Sequence, residues 1–481
     1  MPEVSLHDST TQLCNNAHVM VDSHEKTTQP EGYNPLHISR IVVEALFGQY
    51  SYDLHSDDTD LSKLLILYGD NGSGKTTILR SLFHLLSPAR NKQHRSELAR
   101  VPFRRFCVTL GDNTVVAAAR PEGNIVGSFQ MSITKEGQII AEASFKTDAN
   151  LKLTSEPRSS SRRPLLDALA ALGLKLHLLS DDRKIVTDLL PTGDEDDEEL
   201  DESSTARGLH LRSLSAASLM TWKGIASKAD ESTSLDKAIQ RLVEWIRKQA
   251  ITGSGAGEVN VNSLYTDITK QIVSPSKETE QAKPELQSLI ADLKVQGVRS
   301  VSFARFGLST ELPSEELSAA LQDRRAEKQA LLLTQILRPF VDGVRLRLNA
   351  LESIHDTIVT FIETINAFYH GKMLSFHLRE GITIKLPNAQ SLHPNLLSSG
   401  EKQLLLLLCN VLAAGDQASV FIIDEPELSL NVKWQRKLVD ALLDCTKKSR
   451  TQFVLATHSI ELLTQHQHNV LQLTEIENGR H

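Results

Sequence analysis

The chain has 481 residues, of which 40% are hydrophobic and 23% charged, and its formal net charge is −8. This length allows one large core with an inserted subdomain, or two domains. The negative charge excludes a global basic field for nucleic acid but leaves a local basic patch open.

The N-terminal region and the cysteines indicate where the protein works. Residues 1–36 are rich in Ser, Thr, His and Asn and predict a flexible leader without an apolar signal core. No stretch approaches the roughly 18 apolar residues of a membrane span. The four cysteines form no Cys-x-x-Cys pair, which excludes a zinc hook of usual spacing and indicates a reducing compartment. We therefore expect a cytoplasmic protein with no membrane partner. The cysteines are Cys14, Cys107, Cys409 and Cys445.

A strand pattern begins at His37 and is followed by three aromatic residues, Phe47, Tyr50 and Tyr52. An aromatic ring at this place can stack on an adenine, or it can simply pack in the core or on the surface. The sequence leaves both alternatives open.

A phosphate-binding loop follows the short apolar run Leu64–Tyr68, which is typical of a buried parallel strand. Its glycines let backbone N–H groups face an anion, and the predicted helix from Lys75 to about Leu86 presents its positive end there. Lys75 can neutralise the β and γ phosphates, and the Thr76 hydroxyl can bind Mg²⁺. The predicted nucleotide-binding residues are Gly69, Asn71, Gly72, Ser73, Gly74, Lys75, Thr76 and Thr77.

Residues 101–146 alternate between apolar and polar and are broken by turn residues, a pattern that predicts antiparallel hairpins. A basic cluster lies before and at the start of this region. It predicts either a patch for a phosphate backbone or an ordinary solvated face. Its members are Arg90, Lys92, Arg95, Arg100, Arg104 and Arg105, with Glu97 among them.

The middle of the chain is predicted to be mostly helical. A helix and a strand are expected over residues 164–179, with 180–184 at the strand's end, and Asp194–Glu202 is an acidic run interpreted as a solvated loop. Residues 215–370 have helical spacing and predict an arm that Pro339 breaks or kinks. Strand alternation returns from Leu374 to Leu386.

Residues 397–403, Leu-Ser-Ser-Gly-Glu-Lys-Gln, precede an apolar helix that is hydrophobic on nearly all sides. A helix of this kind is predicted to be buried. The small residues Ser398, Ser399 and Gly400 would leave N–H groups and hydroxyls at its N-terminus available for an anion.

Two further strand ends carry polar residues. The apolar strand Val420–Ile423 ends in Asp424 and Glu425, where the first carboxylate can hold Mg²⁺ and the second can polarise water. Another apolar run ends at Thr457, followed by His458, which we predict to reach the γ-phosphate.

These four motifs, in this order, resemble those of the ABC-type ATPases, and among these the SMC, RecF and OLD-like branch. Transporter subunits hold the P-loop and the signature much closer together than Thr76 and Ser398 stand here. The resemblance implies an α/β fold: a P-loop NTPase head of ABC type, with an antiparallel β-subdomain and an inserted helical arm. The implied domains are a leader at 1–36, head halves at 37–214 and 371–481, and the arm at 215–370.

The resemblance also implies residue roles. ATP and Mg²⁺ would be the cofactors, with Thr76 and Asp424 holding the metal, Glu425 as general base and His458 as switch. Ser398, Ser399 and Gly400 would cap the γ-phosphate bound by a second copy of the chain. Ser399 stands where many members have Gly. Gln130 is only a weak candidate for the glutamine that usually follows the β-subdomain, and Asp182 or Arg183 is the alternative in its place.

The expected function is an ATP hydrolase that dimerises on ATP. The chain ends soon after His458, with no room for the nuclease domain of OLD proteins, so we expect a separately encoded effector. ATPases of this kind resemble subunits of anti-phage defence systems such as PARIS and Septu. The alternatives are a RecF-like or SMC-like ATPase that repairs or clamps DNA, and a nucleotide-gated scaffold with little turnover.

Overall fold

The structure is a computed structural model, in which the chain forms two compact units. We call them the head unit (Met1–Ser227 with Ala414–His481) and the arm unit (Lys228–Ala413). The basic residues Arg90 and Lys92, the acidic run and nearly all of the leader lie outside the described residues. The structure describes residues 34–56, 61–89, 93–154, 162–179, 185–187, 234–253, 282–322, 330–414 and 419–474.

Both units contain helices and strands. In chain order the head unit begins with β1 (Ile38–Leu46), β2 (Tyr50–His55), β3 (Leu64–Tyr68), α1 (Lys75–Leu86), α2 (His94–Arg100), β4 (Arg105–Leu110), β5 (Thr114–Ala119), β6 (Phe129–Lys135), β7 (Gln138–Phe145), α3 (Arg162–Ala171), β8 (Lys175–Leu179) and β9 (Ile185–Thr187). The arm unit follows with α4 (234–253), α5 (Ala282–Arg305), α6 (Ser314–Leu321), α7 (Ala330–Phe368), β10 (Met373–His377), β11 (Gly381–Lys385), β12 (Ser391–Leu392) and α8 (Ser399–Ala413). The head unit ends with β13 (Ser419–Asp424), α9 (Val432–Cys445), β14 (Thr451–Thr457), α10 (Ile460–Leu463) and β15 (Val470–Gln472).

The head unit has two six-stranded sheets. One is antiparallel in the order β2-β1-β4-β5-β6-β7, which confirms the hairpins predicted between residues 101 and 146. The other has the order β15-β3-β14-β13-β8-β9 and is parallel except for its last pair. Strands β13 and β14 are buried along their whole length, as expected of parallel strands covered on both faces. The head is therefore the predicted α/β fold with an antiparallel β-subdomain.

Helix α1 lies between the two sheets and packs on β5 of one and on β8, β13 and β14 of the other. Its apolar side chains belong to one hydrophobic core together with side chains from both sheets. Among them, Ile78, Leu79 and Leu82 are fully buried. Burying a Leu or Ile side chain contributes about 1.5–3 kcal/mol, so this helix is well anchored behind the phosphate loop.

The buried side chain of Gln452 ties the two sheets together. Its Oε1 accepts from the Ile38 N–H at 2.7 Å, and its Nε2 donates to the Ile38 and Leu61 carbonyl oxygens at 2.9 and 2.8 Å. A buried amide is tolerated only when it is paired in this way. The sequence alone offered no sign of this link.

The arm unit combines helices with a three-stranded antiparallel sheet, β10-β11-β12. Helix α7 continues through Pro339, so of the two predicted effects of this proline, a break or a kink, the break is absent. Side chains on both sides of the proline, such as Leu337 and Val341, belong to the core shared with α5, and this packing holds the helix together. Residues 371–413, which the resemblance assigned to the C-terminal half of the head, belong to the arm unit. No helix within the described ranges is long and apolar enough to span a bilayer.

Candidate functional site

Three neighbouring strands of the parallel sheet bring the predicted head motifs to one edge. Tyr68, the last residue of β3, pairs with Thr457 at the end of β14, and Ala456 pairs with Asp424 at the end of β13. The phosphate loop, the Glu425 turn and the His458 segment all leave the sheet at this edge. Ligands bind at such an edge in open parallel sheets, because loops from adjacent strands meet there.

The phosphate loop is already closed around its lysine. Lys75 is 7% exposed, and its Nζ donates to the carbonyl oxygens of Gly69 and Asp70 at 2.7 and 2.9 Å. Gly74, immediately before α1, has φ 92°, and a Cβ there would lie 2.6 Å from Leu46 Cδ2. The loop therefore requires glycine at this position both for its backbone conformation and for space.

The three aromatic residues near the loop have different surroundings. Tyr52 is buried, and its hydroxyl donates to the Ser73 carbonyl oxygen at 2.9 Å, so this bond stabilises the phosphate loop. Tyr50 stacks on Tyr52 with ring centroids 6.1 Å apart. Phe47 is 41% exposed, and its ring edge lies 3.3 Å from the position of a Cβ on Gly74. Phe47 is thus the exposed ring of the three, beside the loop.

The residues predicted to hold Mg²⁺ suit this ion chemically. Asp424 is 5% exposed at the end of β13, and Thr76 lies in the first turn of α1, which packs on β13. Mg²⁺ prefers oxygen ligands, keeps several waters and shares substrate phosphates, so one carboxylate and one hydroxyl beside a phosphate loop fit it. No group of three or more His, Cys, Asp or Glu forms a metal site in the described part of the chain.

Glu425 and His458 are in contact. Nδ1 of His458 lies 3.2 Å from Oε1 of Glu425, and the His458 side chain is half exposed. Glu425 has φ 48°, an uncommon backbone conformation for a residue with a side chain, and its N–H donates to the Ala456 carbonyl oxygen at 2.9 Å. Strain of this kind persists where surrounding structure enforces it, and it is concentrated at functional sites.

Glu427 is a site residue that sequence reasoning missed. It is 5% exposed, and its Oε1 accepts from the Thr457 hydroxyl and from the His458 N–H. In the sequence, Glu427 is recognisable only as the third acidic residue just after the apolar strand. Nothing local, however, distinguishes this carboxylate from an exposed one.

The weak candidate Gln130 lies elsewhere. It is on β6 of the antiparallel sheet, where its Nε2 donates to Glu142 at an exposed position. The strand-end segment 180–184 lies outside the described residues. Gln130 therefore does not lie at the phosphate edge of the parallel sheet.

The signature residues Ser398, Ser399 and Gly400 belong to the arm unit and begin α8. Glu401 closes a capping box there: its Oε2 accepts from the Ser398 N–H at 2.8 Å, and Ser398 Oγ accepts from the Glu401 N–H at 3.4 Å. Ser398 and Ser399 are exposed. The helix start is thus held in shape while its serines face outward.

A polar cluster around the buried Glu401 supports this helix start. Lys372 Nζ donates to Glu401 Oε1 at 2.7 Å, and the Tyr369 hydroxyl donates to the Glu401 carbonyl oxygen at 3.0 Å. Burial alone would raise the pKa of the Glu401 carboxyl, but hydrogen bonds from Lys372 and Ser398 outweigh burial and lower this pKa below its ordinary value. Burial raises the pKa of Cys409 in the same helix, so its thiol stays protonated and unreactive.

Of the described arginines of the basic cluster, two are buried and two are about half exposed. Arg95 is buried, and its guanidinium donates to the carbonyl oxygens of His84 and Ser87 at the end of α1. Arg105 is buried beside Glu44, and Arg104 lies within 4.0 Å of Glu44. Arg100 pairs with Glu97. Arg95 and Arg105 are therefore turned away from any phosphate backbone, and for Arg100 and Arg104 the patch stays a prediction.

Comparison with known proteins found partial similarities. A family model described as "AAA domain, putative AbiEii toxin, Type IV TA system" matches residues 278–464, a range that includes the signature, Asp424, Glu425 and His458. A search of curated proteins found no match.

Two of the solved structures to which the chain is similar are SMC heads. One, from Pyrococcus furiosus, is an Smc head domain with an extended coiled coil bound to the C-terminal domain of ScpA; it is 14% identical, with 91% of this chain and 93% of that chain covered and a TM-score of 0.35. The other, an SmcHead bound to the C-winged helix domain of ScpA, is 11% identical, with 91% and 94% covered and a TM-score of 0.35. The chain is similar to this AAA family over residues 278–464.

Proposed function

We propose that this protein hydrolyses ATP at the edge where β3, β13 and β14 end. One observation carries the proposal: the phosphate loop, Asp424 and the Glu425–His458 contact follow three adjacent strands of one sheet. Lys75 and the N–H groups of the loop bind the phosphates. Glu425 orients and deprotonates the attacking water, and His458 contacts the γ-phosphate.

Thr76 and Asp424 would hold Mg²⁺ against the bound phosphates. The ion supplies positive charge that neutralises the transferring phosphoryl group. Lys75 adds a fixed positive charge in a buried loop, where electrostatic stabilisation of the transition state is strongest.

The test of hydrolysis is phosphate release from Mg-ATP by the wild-type protein, Lys75→Ala and Glu425→Gln. We expect release by the wild type and loss of release in both variants, with ATP binding lost in the first and kept in the second. A wild-type protein that binds ATP but releases no phosphate with or without added partners would contradict the proposal.

We propose further that ATP joins two copies of the chain. The exposed serines at the start of α8 offer hydroxyls and helix N–H groups to a γ-phosphate held by the loop of a second copy. Sedimentation of Glu425→Gln with ATP and Mg²⁺ tests this, because slow hydrolysis should accumulate the dimer. Ser398→Arg, which places a bulky side chain at the helix start, should keep the protein monomeric.

For the biological role we propose the sensor or motor subunit of a bacterial anti-phage defence complex with a separate effector protein. The match to a model whose description names a toxin of a toxin–antitoxin system supports this direction. A pull-down of tagged Glu425→Gln from its native host with ATP and Mg²⁺ would identify the effector, and a plaque assay would test protection. A protein that protects no host against any phage while cleaving DNA alone would contradict this role.

Neither alternative has a specific observation in its favour. The DNA-clamping hypothesis depended on the basic cluster, of which Arg95 and Arg105 are buried within the head unit. The scaffold hypothesis predicts that Glu425→Gln leaves function in the host intact, so the plaque assay distinguishes it from the hydrolysis proposal.

A further inference from the structure

We propose that Glu427 is a positioning residue that holds His458 against Glu425. This assignment deepens the proposed ATP hydrolysis and rests on it for its catalytic consequence. It concerns a buried carboxylate with no role in the phosphate, metal or water chemistry described above.

The turn after β13 places Glu427 beneath the site. The Leu428 N–H donates to the Glu425 carbonyl oxygen at 3.0 Å, and the Leu430 N–H donates to the Glu427 carbonyl oxygen at 2.9 Å. Pro426 restricts the backbone between the two glutamates. With the turn in this conformation, the Glu427 side chain lies against the end of β14 rather than in solvent, and the residue is only 5% exposed.

The carboxylate holds the segment that carries His458 at several atoms. Its Oε1 accepts from the Thr457 hydroxyl, accepts from the His458 N–H at 3.3 Å and lies 3.7 Å from His458 Nδ1. The Thr457 hydroxyl oxygen also accepts from the Ser459 N–H at 2.9 Å. One buried oxygen therefore anchors Thr457 and His458 directly, and Ser459 only through the Thr457 hydroxyl.

This anchoring concerns the ring of His458 as well as its backbone. Half of its side chain is exposed, so packing alone does not hold the ring. Nδ1 instead faces two carboxylate oxygens, at 3.2 Å on Glu425 and 3.7 Å on Glu427. Since both are acceptors, they favour the ring form with hydrogen on Nδ1, and Nε2 is left for contacts with a ligand.

A purely structural role would leave different evidence. Glu427 then would stabilise the head unit, and its loss would lower stability without changing the rate per folded molecule. A positioning role predicts a change in the rate and in the ring form of His458 while nucleotide affinity is kept, because the phosphate loop does not contact Glu427 through any described hydrogen bond.

The test compares Glu427→Ala, Glu427→Gln and Thr457→Val with the control Glu461→Ala. Glu461 is a carboxylate of the neighbouring helix α10 whose ion pair with Arg436 is on the surface. Melting confirms folding, binding of a fluorescent ATP analogue reports affinity, and single-turnover hydrolysis reports the rate. We expect Glu427→Ala to slow hydrolysis about 10–100-fold at nearly unchanged affinity, a loss typical of misplaced catalytic groups. Glu427→Gln and Thr457→Val should be intermediate, and Glu461→Ala should match the wild type.

A second measurement does not depend on turnover. Long-range ¹H–¹⁵N spectra of the histidine rings, with the His458 signals identified by their loss in His458→Gln, report which ring nitrogen carries hydrogen. We expect the Nδ1–H form in the wild type and its loss in Glu427→Ala. An unchanged ring spectrum, or an unchanged rate in folded Glu427→Ala, overturns the positioning role. If the wild type does not hydrolyse ATP but the ring spectrum changes as expected, the proposed hydrolysis fails and the positioning of His458 stands.

Discussion

Nδ1 of His458 lies 3.2 Å from Oε1 of Glu425, although the two residues are 33 positions apart in the chain. The distance is short because β13 and β14 are parallel neighbours, with Asp424 paired to Ala456. Because the two side chains are in contact, the segment that carries His458 helps to fix the orientation of the Glu425 carboxylate. This contact is the reason to expect that changes at either residue affect hydrolysis rather than nucleotide binding.

Glu425→Gln should bind ATP and fail to hydrolyse it. The amide keeps the shape and accepts from His458, but it cannot take the proton of the attacking water. We expect the rate to fall on the order of 100–10,000-fold, the usual contribution of a general base, while ATP affinity stays close to that of the wild type. Quench-flow hydrolysis and equilibrium binding measure the two. A fall of less than about threefold would show that another group acts as the base.

Lys75→Ala should abolish tight ATP binding. The ammonium is buried in the loop and bonded to Gly69 and Asp70, so its removal takes away a prepositioned charge. We expect the dissociation constant to rise more than about 30-fold, as for loss of a buried charged contact. Lys437→Ala, which removes an exposed lysine of α9, is the matched control for charge and should bind normally. Calorimetry measures both affinities.

Gly74→Ala should destabilise the head unit more than Gly72→Ala. Both glycines have positive φ, 92° and 87°, so alanine is strained by about 1–2 kcal/mol at either position. Only at Gly74 does the added Cβ meet another atom, the buried Leu46 side chain at 2.6 Å, while Gly72 faces open space. Overpacking adds about 1–3 kcal/mol at Gly74. Urea unfolding without nucleotide measures the difference, and equal losses would contradict the packing argument.

Glu401→Gln should weaken the dependence of stability on acid pH. The pKa of Glu401 in the folded protein lies below its ordinary value of 4.5, mainly through Lys372 and Ser398 acting against burial. Stabilisation by the carboxylate is therefore fully present above about pH 4.5 and is lost as the pH falls through the lowered folded pKa.

As the pH falls from neutral through the lowered pKa of Glu401, the wild type should then lose more unfolding free energy than Glu401→Gln does. At neutral pH the variant should be less stable by about 0.5–2 kcal/mol, the range for a lost helix cap. Glu315→Gln, at an exposed glutamate in the first turn of α6, is the control. Parallel pH profiles of the wild type and Glu401→Gln would contradict the assignment.

Phe47→Ala should weaken the binding of ATP. The exposed ring beside Gly74 is placed to stack on a base, and such stacking contributes about 1–3 kcal/mol. We expect the affinity to fall about 5–100-fold and Phe47→Tyr to keep it. Phe340→Ala, at an exposed phenylalanine of the arm unit, controls for loss of a surface ring. An unchanged affinity would leave Phe47 with a packing role only.

Local pattern was sufficient for much of the head. The apolar run before the glycines predicted β3, and the structure places it at Leu64–Tyr68, with α1 beginning at Lys75 as expected. The hairpins and the two buried strands that end at Asp424 and Thr457 follow from the same kind of signal. Burial on one or both faces imposes a period on the sequence, so elements of this kind can be read from neighbouring residues alone.

The sequence by itself thus determined the elements and the motifs that end them. Only the tertiary structure decided which residues meet. It paired Glu425 with His458, buried Glu427 beneath them, and turned Arg95 and Arg105 inward from the predicted basic patch. It also carried α7 through Pro339. These outcomes depend on strand order and on packing between residues far apart in the chain, which no local periodicity encodes, because contacts between distant segments form only once the core has selected one arrangement of the sheets.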